Sequence, residues 1–149
     1  MDYQTIILEK GDIARIKLNR PEKKNAMNIR MMEELVHAFD TLNQDDTCRV
    51  IILEGTGKGF CSGGDLGTMG GQTSIMTHRD MNRMMVKLLK SVVQCGKFVI
   101  SKIHGYAIAG GLGLALCCDL TVITDTAKIG TPEILRALFP FMISAPISR

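Results

Sequence analysis

The stretch "KFVISKIHGYAIAGGLGLALCCDLTVIT", Lys97 to Thr124, decides the fold class. It opens on "KFVISKI" and closes on "LTVIT", short apolar runs of the length and β-branched content that predict buried strands. Between them stand four glycines, Gly105, Gly110, Gly111 and Gly113, and an uncharged run that predicts a turn leading straight into a buried helix. Strand, glycine-rich turn, helix and strand again is the pattern of an α/β domain with parallel strands.

The same pattern extends upstream. "RVIILEG" predicts a buried strand over Val50 to Glu54 that runs into the turn-rich "GTGKGFCSGGDLG". A polar, Gly-rich connection follows from Gly67 to Thr77. From about Asp80 onward, Met81, Met84, Met85, Leu88, Leu89 and Val92 recur at helical spacing, and Cys95-Gly96 closes that helix. Near the start, "ARIKL" alternates apolar Ala14, Ile16 and Leu18 with Arg15 and Lys17, a half-buried strand, and "YQTIILEK" is its hairpin partner through Gly11-Asp12. Asn28 is placed to cap a helix carrying Met31, Leu35, Phe39 and Leu42 that ends near Asn43. No linker and no internal repeat interrupts residues 1–149, which are therefore expected to form one unit.

Composition narrows the function classes. A chain of 149 residues with 46% hydrophobic and 22% charged residues has the balance of a globular domain, and no segment reaches the ~18 apolar residues of a membrane span. The charge of +3 is scattered, and aromatics are 5% with no Trp, so neither a basic block nor a stacking surface for nucleic acid is present. Five cysteines, an odd number without C-x-x-C spacing, predict reduced, buried thiols and no metal site. "MDYQTIILEK" lacks the pattern of a secretion signal, which makes the cytoplasm the expected compartment. The ten methionines lie on helix faces as core filling.

Both glycine-rich loops follow a predicted strand. A helix start after such a loop presents unpaired N–H groups and the positive end of its dipole, so it can polarise an oxygen on which negative charge develops. Two nucleotide motifs fail here. "GTGKG" lacks the upstream glycine and Lys-Ser/Thr pair of a P-loop, and Gly111-Leu112-Gly113 lacks the third glycine of a dinucleotide fingerprint. On composition alone, tight turning and close packing explain the glycines equally well.

Taken together, "NRPEKKNAMN", "GKGFCSGGDL", "HGYAIAGGLGLALCCDL" and "IGTPEI", in this order and spacing, resemble the crotonase superfamily, the enoyl-CoA hydratase/isomerase group. The resemblance runs over essentially the whole chain. It implies a spiral of repeated ββα units, assembly as trimers or paired trimers, and an acyl thioester of coenzyme A as substrate, with no tightly bound cofactor. It further implies an oxyanion hole made of the backbone N–H groups of Gly64 and Gly110. Coenzyme A would lie along Ser62, Gly63, Asp65 and Leu66 on one side and Lys24 and Ala26 on the other, with Lys23 and Lys24 near its phosphates.

In the hydratases of that group two glutamates handle a water molecule. One is matched by Glu133, in "GTPEI", with Pro132, Ile134 and Leu135 giving it an apolar setting; the other is replaced by Gly113. One carboxylate suffices for a double-bond shift, whereas hydration is well served by two. Asp65, His78, Asp80 and His104 are the candidates for a second acid or base, and Asp119 is expected to be structural. Members of the group continue past "LFPFMISAPISR" into a helical region that covers the acyl pocket. Its absence here would leave Phe139, Phe141, Met142 and Ile143 exposed. The alternative to an enzyme is a non-catalytic CoA-binding or assembly module.

Overall fold

Alternation along Ile13–Leu18 sets the first sheet face: Ala14, Ile16 and Leu18 are fully buried, while Arg15 and Lys17 point the other way. This strand, β2, pairs antiparallel with β1 (Ile6–Glu9), Ile6 opposite Leu18, as the hairpin reading requires. The computed structural model describes residues 2–65, 67, 75–137 and 139–148. After β2 come α1 (Ile29–Asn43), β3 (Val50–Gly55), α2 (Ile75–Val93), β4 (Phe98–Ile103), β5 (Tyr106–Ile108), α3 (Gly110–Leu116), β6 (Leu120–Ile123), β7 (Lys128–Gly130) and α4 (Phe141–Ile147). Short 3₁₀ turns cover Pro21–Lys23 and Pro132–Arg136.

Five strands form one sheet in the order β1-β2-β3-β4-β6, parallel from β2 onward. Each parallel step needs a crossover, and α1 and α2 supply the first two. Asn28 opens α1 by accepting the Met31 N–H on its side chain at 2.9 Å. The stripe Met31, Leu35, Phe39 and Leu42 then enters one core with Met81, Met85, Leu88, Leu89 and Val92 of α2. Asp119 is structural, as expected: its carboxylate accepts the Val99 N–H at 2.8 Å and its own N–H donates to Val99, tying β4 to the start of β6.

Four features depart from the sequence reading. α2 begins at Ile75 rather than near Asp80, because its first turns carry Thr77, His78, Arg79 and Asp80 and offer no apolar stripe to read. α3 spans seven residues and stops at Leu116. A second sheet, β5 and β7 in parallel with Tyr106 opposite Lys128, was not expected; three-residue strands are too short for a period to emerge. Ile143 is 2% exposed rather than open to solvent, while Phe139 and Phe141 are exposed as anticipated; the Met142 side chain lies outside the described residues.

Candidate active site

Three chain segments meet beside the ends of β2, β3 and β4. Residues 61–65 run between residues 24–27 and β5. On one side the Ser62 N–H donates to Lys24 (3.1 Å), Met27 to Gly63 (2.8 Å) and Asp65 to Met27 (2.9 Å). On the other, Cys61 donates to Tyr106 (3.2 Å) and accepts from Ile108 (3.1 Å). Lys24, Ala26, Ser62, Gly63 and Asp65, predicted to lie along coenzyme A, are thereby brought into one short ladder. Leu66 lies outside the described residues.

Side chains that sequence reasoning did not single out hold this ladder. Lys24 and Asn25 both take left-handed backbone, φ 55° and 54°, a conformation that Asn tolerates because its short polar group bonds locally. Asn25 is fully buried; its Oδ1 accepts the Arg20 N–H, and its Nδ2 donates to the carbonyls of Thr56 (2.8 Å) and Gly59 (2.9 Å). Arg20 Nη1 donates to the Ala26 carbonyl (2.6 Å) and to Asp65 Oδ2 (2.9 Å), joining the two segments through one guanidinium. "NRPEKKNAM" displays both residues, but nothing in their spacing says that they turn inward.

The second glycine-rich loop packs directly on this ladder. A Cβ on Gly63 would stand 3.2 Å from the Gly110 nitrogen, and one on Gly111 only 2.6 Å from the Cys61 carbonyl, so the backbones touch where glycines permit it. Ala109, just before α3, holds φ 53° and ψ −132°, a strained conformation for a residue with a Cβ. Its N–H donates to the carbonyl of Gly130 of β7 at 2.9 Å, which fixes the turn. Among the described residues, the N–H groups of Gly64 and Gly110 meet no acceptor. Apolar methyls stand close to Gly110: a Cβ there would be 3.2 Å from Met85 Cε and 3.4 Å from Met27 Cε.

Cys61 is no nucleophile in this setting. Burial pushes its thiol up to about 12, the Gly63 N–H offsetting only part of that, and the S–H donates to the Asn25 carbonyl at 3.1 Å.

Glu133 sits in the 3₁₀ turn Pro132–Arg136, half-buried, with Oε2 shielded from solvent and no hydrogen-bond partner for that atom among the described residues. Gly130, bonded to Ala109, is three residues away, so the chain keeps Glu133 within about 11 Å of Gly130. Its apolar sequence neighbours do not enclose it: Ile134 is 62% and Leu135 89% exposed. Of the other acid and base candidates, Asp65 is ion-paired to Arg20, with its other oxygen accepting the Gly67 N–H. The His104 Nε2 is bonded to the Gly57 carbonyl at 3.0 Å, and Asp80 is exposed on α2. The His78 side chain lies outside the described residues.

The sequence model of the enoyl-CoA hydratase/isomerase family matches residues 9–148. The chain is 34% identical over 142 residues to a crotonyl-CoA hydratase of Syntrophomonas wolfei, covering 94% of this chain and 54% of that protein. It is likewise 34% identical over 132 residues to the mitochondrial Delta(3,5)-Delta(2,4)-dienoyl-CoA isomerase of Mus musculus, covering 82% and 40%. Among solved structures, an enoyl-CoA hydratase of Mycobacterium smegmatis superposes with a TM-score of 0.93 at 29% identity, over 98% of this chain and 58% of that one. Pseudomonas aeruginosa AtuE superposes with a TM-score of 0.92 at 30% identity, over 98% and 58%. The chain spans about half the length of the curated relatives it matches first. With a family match over nearly its whole length and the same fold at this level of identity, the chain belongs to the enoyl-CoA hydratase/isomerase family and has the crotonase fold.

Proposed function

We propose that the protein acts on an acyl thioester of coenzyme A, holding the thioester oxygen between the N–H groups of Gly64 and Gly110 while Glu133 moves a proton. The observation that carries this reading is the contact between the two glycine-rich loops, with both amides free of acceptors among the described residues. Removing a proton next to a thioester puts negative charge on its oxygen, and two preset donors would stabilise the resulting enolate by about 3 kcal/mol each. The Oε2 of Glu133, shielded from solvent and without a partner among the described residues, suits a carboxylate that takes a proton and returns it elsewhere on the acyl chain. Lys24, Ala26, Ser62, Gly63 and Leu66 line the CoA moiety, and Asp65 acts there by fixing the loop through Arg20. Residues 1–149 form one crotonase-like spiral core that assembles as a homo-oligomer, a trimer or hexamer.

Product analysis after incubation with a 3-enoyl-CoA and a 2-enoyl-CoA separates double-bond shift from hydration. Glu133→Gln is expected to lower turnover by about 100-fold or more while leaving the fold intact by circular dichroism. Unchanged turnover in that variant removes Glu133 from the mechanism. A second reading, a non-catalytic CoA-binding module, is favoured by the lack of any polar side chain in α3. It predicts calorimetric binding of CoA without turnover of either thioester.

A further inference from the structure

Gly113 lies on α3 three residues beyond Gly110, about 4.5 Å further along the helix axis. A Cβ built on it would overlap Cγ2 of Ile143 and stand 2.8 Å from its Cβ. The volume that any side chain at position 113 would need is thus already filled from α4. Among the described side chains of α4, the filling comes from Ile143. Ile143 is 2% exposed, whereas Phe141 and Ile147 of the same short helix are 78% and 47% exposed. Along α3, "GGLGLAL" carries no polar side chain, and Gly110 faces the methyls of Met27 and Met85. The proposed thioester-oxygen donors therefore adjoin methionine methyls at one end and, a turn along α3, an isoleucine seated in the helix.

We propose that Ile143, packed against Gly113, is a specificity-determining residue that keeps this wall of the acyl site apolar and denies a water molecule the polar partner it needs there. The assignment rests on the function proposed above. Addition of water requires a group that orients and deprotonates it, while a double-bond shift does not. With one carboxylate and an apolar wall, Glu133 removes a proton from carbon 2 of a 3-enoyl thioester and the electron pair passes to the thioester oxygen. The Glu133 carboxyl then delivers a proton to carbon 4, giving the 2-enoyl isomer with no water consumed, or back to carbon 2, restoring the starting thioester; where that proton has first exchanged with solvent, deuterium enters. Ile143 touches neither proton; it decides which second reactant can enter.

The test is the ratio of hydrated to isomerised product from 3-enoyl-CoA in ¹⁸O-labelled water, with deuterium exchange at carbon 2 and the thermal melt read on the same samples. The wild type is expected to isomerise without forming labelled 3-hydroxyacyl-CoA. Ile143→Ala, and more strongly the pair Gly113→Glu with Ile143→Gly, should raise the ratio by about tenfold or more while exchange remains measurable. Gly113→Ala should lower the melting temperature with Ile143 present and much less in the Ile143→Ala background, because the added methyl then has room. Label incorporation by the wild type, or a ratio unmoved in variants that melt cooperatively, overturns the role of Ile143. If the larger changes prevent folding, Ile143→Leu, which keeps the side-chain volume but removes the β-branch methyl Cγ2 that faces Gly113, must still raise the ratio, and a flat response overturns the proposal. A wild type that neither exchanges nor turns over acyl-CoA overturns the proposed function itself, and the role of Ile143 with it.

Discussion

Ala109 carries its strained turn with a methyl group that makes the turn harder to hold. Glycine at this position would relieve the clash, and a β-branched residue would aggravate it. Ala109→Gly is therefore expected to melt no lower than the wild type and to keep activity. Ala109→Val should lose about 2 kcal/mol of stability by urea denaturation and should lower activity with it. Glu34 is the other residue with an outcome of its own. Burial opposes its charge, but bonds from the Thr5 hydroxyl, the Arg30 guanidinium and the N–H groups of Gln4 and Thr5 outweigh it and hold the carboxyl below its ordinary 4.5. A depressed folded-state value contributes stability that is complete above the unfolded-state value and lost as pH falls through the folded one. Wild-type stability should accordingly fall more steeply below pH 4.5 than that of Glu34→Gln. At neutral pH the variant should be weaker by about 2 kcal/mol in urea titrations. Neither residue was legible from sequence: Glu34 sits among charged helix residues that read as solvent-facing, and a backbone dihedral leaves no mark on an alanine.

At the scale of elements, legibility followed length and pattern. β2, β3, β4 and α1 announced themselves because alternation or helical spacing persists over several residues, and the glycine loops because four motifs stand in order. β5 and β7 did not, since each is three residues held by pairing with a distant partner, and Ile143 did not, since its burial depends on an absent side chain thirty residues earlier. What joins the elements at the site is the Arg20 clamp, whose two side chains are 15% and 13% exposed. Removing one partner leaves a poorly solvated charge, so Arg20→Ala should cost about 2 kcal/mol in a thermal or urea melt. Asp65→Asn keeps the shape and weakens the charge, which should cost less. If this clamp shapes the CoA channel, Asp65→Asn raises KM for the acyl-CoA more than it lowers kcat, and steady-state kinetics separate the two. An equal fall in kcat would move Asp65 from positioning the loop to the reacting centre.

Over the whole molecule, apolar exposure is uneven. Among the described residues, Leu120 and Val122 of β6, then Ile134, Leu135, Phe139 and Phe141, are each about half or more exposed, while α1 buries nearly all its apolar surface. Among the described residues β6 is also an edge of the five-stranded sheet, and an edge strand offers backbone groups for pairing with another chain. Burial of such area against a partner is favourable by roughly 25 cal/mol per Å², and only the part exceeding the cost of association appears as affinity, so these side chains must be buried together to hold a partner. The homo-oligomer proposed for this protein gives that surface an occupant, a second copy of the chain. Sedimentation velocity over a hundredfold range of concentration is expected to show a rising weight-average mass. Val122→Lys on the edge strand and Leu135→Glu should each shift the distribution towards monomer, because a charge on either surface must be desolvated when two copies meet. Val86→Lys, in the groove between α1 and α2, is the control and should leave the distribution as it is. A monodisperse monomer at every concentration would remove the second copy as occupant.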